Sequence, residues 1–184
     1  GYFEQYPLFW WCNVCHSLNV ALLANIFGRW LHYDEDQLKI LTVAGLLHDI
    51  GKVLIPAEII KKPGRLTKEE FDIIKQHPYK GYRLLQSKKV DENSAQVALM
   101  HHEKCDGSGY PIGLKGDQIP EIAALIAVAD AYDAMTSKRS YKEIMPQNEV
   151  RNEIKKNIGR QFHPKYAKIM LRVMRYSLQL KTLI

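Results

Sequence analysis

The sequence is short of cysteine, of long apolar runs and of any strand-like alternation. Its three cysteines, Cys12, Cys15 and Cys105, are an odd number. With no export signal beside them, free thiols and a reducing, cytoplasmic setting are expected. No apolar stretch approaches the ~18 residues that cross a bilayer, which excludes a membrane helix within this chain. The start, Gly1 to Trp11, is aromatic and has no basic residue, so it does not read as a secretory signal. Residues 1–11 read instead as the end of a linker helix from an upstream module. Alternation of apolar and polar residues never persists beyond a few positions, and no internal repeat is present. With 46% hydrophobic and 25% charged residues in 184, the composition is that of a globular protein. The length suits a single domain, 1–184, with a sizeable core.

The net charge of +6 is uneven: residues 151–184 carry nine Lys or Arg against one acid, leaving the first 150 slightly acidic. The overall charge therefore says little about an anionic substrate at the central motifs and describes a basic C-terminal section. Within it Lys165, Lys168, Arg172 and Arg175 form one stripe at helical spacing, which reads as a solvated face ahead of a docking site for an acidic partner. No aromatic interleaving or nucleic-acid motif accompanies it, so DNA and RNA are not expected partners.

The pattern is helical almost throughout. Leu18, Ala21, Leu22 and Ile26 share a face. Asp34 with Gln37 is a capping pair for a helix running through Leu38, Leu41, Ala44 and Leu47 towards His48. Pro56 and Pro63-Gly64 predict a loop, and Thr67 with Glu70 a second capping box. A helix is predicted over Ala95–His102, a Gly-rich loop over Asp106–Gly116 and an Ala-rich helix over Ile119–Met135. Another helix has Pro146 in its first turn, and a last one starts near Pro164. The fold class expected is all-α, a helical bundle with one long Gly-rich loop.

Against this background seven residues stand out as metal ligands: His16, His48, Asp49, His77, His101, His102 and Asp130. Two adjacent pairs, His48-Asp49 and His101-His102, plus three singles spread over several helices, are harder to assign to packing than a lone helical histidine. His32 and His163 are read as ordinary surface or core residues. Neighbours on a helix point ~100° apart, so His48 and Asp49 can flank one ion, while the two oxygens of Asp49 suit a bridge between two. Imidazole with carboxylate favours Fe, Mn, Zn or Ni over Mg or Ca. Two such ions would activate water and clamp both oxygens of an in-line displacement at phosphorus. Lys52, one turn after His48, is placed to neutralise a phosphate oxygen or protonate a leaving group.

His48-Asp49-Ile50-Gly51-Lys52, followed by Ile55-Pro56, resembles the signature of the HD superfamily of metal phosphohydrolases. Several further motifs are similar to the HD-GYP family. They are His101-His102-Glu103, Asp106 to Pro111, Gly113 to Gly116, Lys62-Pro63-Gly64, His77-Pro78 with Gly81, Val128 to Ser137, and Arg139-Ser140-Tyr141. The resemblance covers roughly residues 16 to 164. It implies an HD-domain helical bundle with a GYP loop, a di- or trinuclear metal centre and hydrolysis of cyclic di-GMP to the linear dinucleotide or GMP in bacterial signalling. It assigns the seven ligands above, with Asp49 bridging. Lys52, Arg139 and Lys115 are assigned to the substrate. Gly109-Tyr110-Pro111 is assigned to the substrate and to a signalling partner's surface, and Asp133 is an acid behind the ligands that serves catalysis. Two departures stand out. Cys12 occupies the position where trinuclear members carry Glu, which favours two divalent ions, Fe or Mn ahead of Zn or Ni. His163 stands where the family commonly has Asp, remote from the ligands.

Other readings compete. Cys12-Asn13-Val14-Cys15-His16 formally matches a c-type haem attachment pattern, or a redox pair without its usual βαβ setting. A hybrid cyclic GMP-AMP would present the same phosphodiesters as cyclic di-GMP. A non-catalytic nucleotide sensor would be expected to lose His48, Asp49 or Asp130, which are all present. Phe9, Trp10 and Trp11 would suit packing against a second chain in a homodimer.

Overall fold

The computed structural model describes residues 8–137 and 144–181, with side chains for 13–137 and 144–175. Helix α1, Leu8–Trp30, is longer at both ends than the apolar face predicted. It ends where His32 takes a left-handed conformation, φ 58°, and Tyr33 N–H turns back to the Gly28 carbonyl. Helix α2, Glu35–Leu47, starts on the expected capping box, with Asp34 accepting from Gln37 N–H and Gln37 returning a bond to the Asp34 amide.

After α2 the backbone tightens into a 3-10 turn, Ile50–Leu54. A Cβ on Gly51 would overlap the His77 carbonyl, so this turn and the segment carrying His77 are in backbone contact that only glycine permits. The loop predicted from Pro56 to Gly64 contains one helical turn, α3, Ala57–Ile60. Pro56 at its N-cap, φ −52°, presets the chain for it. The Thr67–Glu70 box opens α4, Lys68–Ile74. A separate helix, α5, His77–Ser87, follows. Helix α6, Glu92–Met100, begins three residues before the predicted Ala95, because the Asp91 carboxylate accepts from Ser94 N–H and caps it.

A long loop then leads to α7, Glu121–Thr136. Helix α8, Gln147–Lys156, has Pro146 as its cap rather than inside its first turn, and α9 is Pro164–Lys181. The all-α class expected from the sequence stands. Among the described residues there is no strand, only isolated bridges between Asp106 and Lys115 and between Ile158 and Phe162. No described helix is long and apolar enough to cross a membrane.

Helix α7 is the axis of the core. Ala123, Leu125, Ile126, Val128 and Ala129 are wholly buried, and the small residues let α1, α6, α8 and α9 approach it closely. Phe27, Leu41, Val97, Ile154 and Met170 fill the space around it. Each fully buried side chain of this size contributes about 1.5–3 kcal/mol. The middle of α1, the end of α2, the start of α5, the end of α6 and the middle of α7 meet on one side of this core, and each carries a polar residue there.

Candidate metal centre

Five of the buried polar residues are histidine or aspartate: His16, His48, His77, His101 and Asp133. Three of the imidazoles share one arrangement. Nδ1 of His48 lies 2.8 Å from the Gly45 carbonyl, that of His77 2.7 Å from Ile74, and that of His101 3.0 Å from Ala98. A carbonyl only accepts, so each Nδ1 must carry the proton. Each Nε2 then presents a lone pair.

Those lone pairs face one another and an anion. His77 Nε2 and His101 Nε2 are 3.4 Å apart. Both point at Asp49 Oδ1, at 3.2 and 3.6 Å. Neither His48 Nε2 nor Asp49 Oδ1, both buried, makes a hydrogen bond. Converging acceptors with no donor among them are unfavourable in a buried site. A cation satisfies them all, and histidines fixed through Nδ1 are the usual form of metal-binding imidazole.

The ligand atoms fall into two groups, each within 4.8 Å: Asp49 with His77, His101 and His102, and His16 with His48 and Asp130. Asp49 joins them. Its Oδ1 faces the first group, while Oδ2 lies 3.4 Å from His48 Nε2 and 3.8 Å from His16 Nε2. His16 Nε2 is 3.1 Å from Asp130 Oδ1.

The electrostatics suit this arrangement. Burial alone would raise the Asp49 pKa, but the Lys52 ammonium and the neighbouring imidazoles hold it well below the usual carboxylate range. Asp130 is likewise depressed, burial being outweighed chiefly by its bond to His16. Burial lowers His101 and His102, leaving both neutral, the ligand form. Burial would also lower His16, yet its bonds to Asp130 and Asp133 raise it to about 9.

The local structure explains how adjacent residues reach different neighbours. His48 caps α2 and Asp49 lies outside helical geometry, φ −99° and ψ 7°. In the 3-10 turn that follows, Lys52 eclipses Asp49, not His48 as regular helix spacing had implied. Its Nζ is 2.5 Å from Asp49 Oδ2, and the side chain is 30% exposed at the rim.

An HD domain family model matches residues 12–172. The chain belongs to the HD domain family. Its relatives include the cyclic di-GMP phosphodiesterase response regulator RpfG of Xanthomonas campestris, 40% identical over 82% of this chain and 40% of that protein. A cyclic di-GMP phosphodiesterase of Thermotoga maritima is 40% identical over 86% of the chain and 44% of its own length. A 3'3'-cGAMP-specific phosphodiesterase 2 of Vibrio cholerae is 37% identical over 85% and 30%. The chain thus spans between 30% and 44% of the length of these curated relatives. Among solved structures, Bd1817, an HD-GYP-type protein of Bdellovibrio bacteriovorus, shares the fold with a TM-score of 0.73 at 23% identity, covering 89% of this chain and 52% of that one.

The GYP loop of this HD domain is anchored by a residue that sequence reading quoted within a motif but gave no role. Glu103 is 3% exposed. Its carboxylate accepts from the amides of Ile112 at 2.7 Å, Gly113 at 2.9 Å and Leu114 at 3.0 Å. Gly109 lies so close to the backbone of His102 to Lys104 that a Cβ there would collide with it. Tyr110 is consequently laid over His102, ring centroids 4.8 Å apart, with Phe71 of α4 at its edge. Tyr110 and Asp130 line a cavity of about 420 Å³ beside His101 and His102. On the other side, Asp49 and Lys52 edge a second cavity of about 310 Å³.

Asp133 stands behind the ligands, where it was expected. Asp133 does not face either cavity. It binds His16 Nδ1 at 2.6 Å, Asn19 at 2.8 Å and the Ser137 hydroxyl at 2.7 Å, a position that orients an imidazole rather than touching substrate. The side chain of Lys115 packs across Gly107 within the loop. Arg139, and the side chains of Cys12, Phe9, Trp10 and Trp11, lie outside the described residues. His163 pairs with Asp117 at 2.9 Å, and neither it nor His32 joins a ligand group. His16 is committed to Asp130 and Asp133 while Cys15 is exposed, an arrangement unlike a haem attachment site.

Proposed function

We propose that this chain is the catalytic HD-GYP module, residues 1–184, of a cytoplasmic phosphodiesterase that hydrolyses cyclic di-GMP to the linear dinucleotide or GMP in bacterial signalling. The observation that carries the reading is the convergence of the His77 and His101 Nε2 atoms on Asp49 Oδ1, an oxygen that receives no hydrogen bond. Asp49, His77, His101 and His102 would hold one divalent ion and His16, His48 and Asp130 the other, with Asp49 shared. Fe or Mn fits these donors first, Zn or Ni next. Bound there, the ions would supply Lewis acidity to water and to the phosphodiester.

The chain's own residues do the rest. Asp133 holds the His16 ring so that Nε2 faces Asp130 and Asp49. Lys52, at the rim, neutralises a phosphate oxygen and assists the departing 3′ oxygen. Tyr110, held by the loop, closes one side of the site over His102 and presents a ring face to a base. Arg139 contributes a further contact to phosphate. Pro111 and the exposed Ile112 beside it form the outer surface of the loop, suited to a signalling partner.

A second reading has its own support: relatives named as 3'3'-cGAMP-specific phosphodiesterases match at 36–38% identity. Turnover of each cyclic dinucleotide by protein loaded anaerobically with Fe or Mn tests both. Production of linear dinucleotide or GMP from cyclic di-GMP is expected, faster than from cyclic GMP-AMP. Absence of any product under metal-replete, reducing conditions refutes the enzyme, and preference for the hybrid ring refutes the substrate.

A further inference from the structure

The basic residues of α9 do not share one environment. Lys165, at its start, pairs with Glu121 of α7 at 2.6 Å. Arg172 and Arg175, two turns on, instead join Arg151 of α8, Trp30 at the end of α1 and Leu171 around a cavity of about 470 Å³. No carboxylate lines this cavity, and α9 contains neither Asp nor Glu. Among the described residues, Arg29 alone of the arginines pairs with a carboxylate. Guanidiniums gathered without a counter-charge repel one another and have hydrogen-bond donors to spare. An anion between them answers both, and their planar fork matches phosphate oxygens in pairs.

The wall is not only basic. The indole of Trp30, 42% exposed, and the Leu171 side chain supply an apolar part on which a flat ring can rest. Aromatic rings beside arginines are the pairing that holds a nucleotide, ring against base and guanidinium against phosphate. The volume falls in the ~300–1,000 Å³ range of small-ligand pockets. The cavity is also remote from the metal centre: Trp30 lies fourteen residues beyond His16 on α1, about 21 Å at 1.5 Å per residue.

We propose that this cavity is a second, non-catalytic site for a nucleoside polyphosphate, with its phosphates on Arg151, Arg172 and Arg175 and its base against Trp30. A small ligand fits better than an acidic protein, because five residues around one hollow are far fewer than the ~20–30 a side of a stable protein interface. The site stands apart from the phosphodiester chemistry, since none of the five belongs to a ligand group of the metal centre.

Isothermal titration calorimetry of the full chain with GTP at ~150 mM salt tests the proposal, with inorganic triphosphate as the probe that lacks a base. GTP is expected to bind saturably, with a dissociation constant below ~100 µM. Arg172→Ala, at an exposed position, should weaken it ~10–100-fold through loss of a charge-assisted phosphate contact. Arg83→Ala, equally exposed on α5, should leave it unchanged. Trp30→Ala should weaken GTP at least ~5-fold and leave inorganic triphosphate unaffected. A dissociation constant above ~100 µM for GTP overturns the proposal. So does binding that Arg172→Ala leaves intact, which would put GTP at the metal centre, or that Arg172→Ala and Arg83→Ala weaken equally, a general effect of charge. GTP binding indifferent to Trp30→Ala, or no tighter than that of inorganic triphosphate, removes the base from the site. Displacement of GTP by a short polyglutamate peptide at equal concentration marks a docking face for an acidic protein instead. Either of these last two results overturns it as well.

Discussion

Removing the Glu103 carboxylate should detach the GYP loop and leave most of the core intact. Its two oxygens receive three backbone amides, from Ile112, Gly113 and Leu114, at 2.7–3.0 Å. Hydrogen bonds to a charged group are worth about 1.5–3 kcal/mol each, and an amide left buried without an acceptor costs about 1–3 kcal/mol. Simple addition would overstate the loss. The Ile112 side chain is 54% exposed, so the loop can lift and let water take the amides. The loss is therefore limited to the cost of undocking the loop, about 2–4 kcal/mol for Glu103→Ala. Glu103→Gln keeps the shape but turns an NH₂ towards an amide donor, and is expected to lose slightly less. Urea denaturation measures the stability. Hydrogen exchange at residues 112–114 locates the change: these amides should be protected in the wild type and exchange freely in the variant. Once the loop is free, Tyr110 no longer rests on His102, and turnover should fall with it. If Glu103→Gln unfolds within about 0.5 kcal/mol of the wild type and keeps those amides protected, the carboxylate is not the anchor.

Other consequences follow from the same geometry. Asp49→Ala removes the one carboxylate facing both ligand groups, so turnover should drop to background and most metal should be lost by elemental analysis; retained activity refutes the shared-ligand assignment. Asp133→Asn should keep the fold and lower metal affinity or turnover by roughly 10–100-fold, as is usual for a group orienting a ligand imidazole; an unchanged enzyme would show that His16 needs no such support. Gly51→Ala drives a Cβ into the His77 carbonyl and should cost about 2–3 kcal/mol in a denaturant melt, along with metal bound through His77. Glu121 predicts an acid-sensitive contact: bonds from Lys165, then Tyr166, pull its carboxyl down to about 2 from 4.5. A depressed carboxylate stabilises above its unfolded pKa, so this contribution is present above about pH 4.5 and fades as pH falls towards 2. Because the side chain is 46% exposed, about 1 kcal/mol is expected. The gap between wild type and Glu121→Gln should shrink between pH 5 and pH 2.5, and an equal gap at both would refute it.

Much of this protein was legible along the chain because the signals are local. The capping boxes at Asp34 and Thr67 act within one helical turn, and the structure starts α2 and α4 on them. The one-turn α3 and the early start of α6 escaped because each hangs on one capping residue, Pro56 and Asp91, inside a stretch with weak periodicity. Glu103 could have been found: a carboxylate two residues after a ligand and just before a Gly-rich loop is a natural acceptor for that loop's amides. The direction of Lys52 could not, since it depends on the chain leaving α-helical geometry at Asp49.

By itself the sequence determined the helical class, the family and the residue types of the centre, because periodicity, caps and motif spacing are written in neighbouring residues. Tertiary structure alone decided which side chains meet. Asp49 and His77 are brought together by a glycine contact between two turns, and among the ligands it is His16 that Asp133 backs, at Nδ1. The two faces of α1 also became distinguishable only once α2 and α7 had covered one of them. Spacing along a helix specifies a face, but what that face meets depends on packing between elements far apart in the chain.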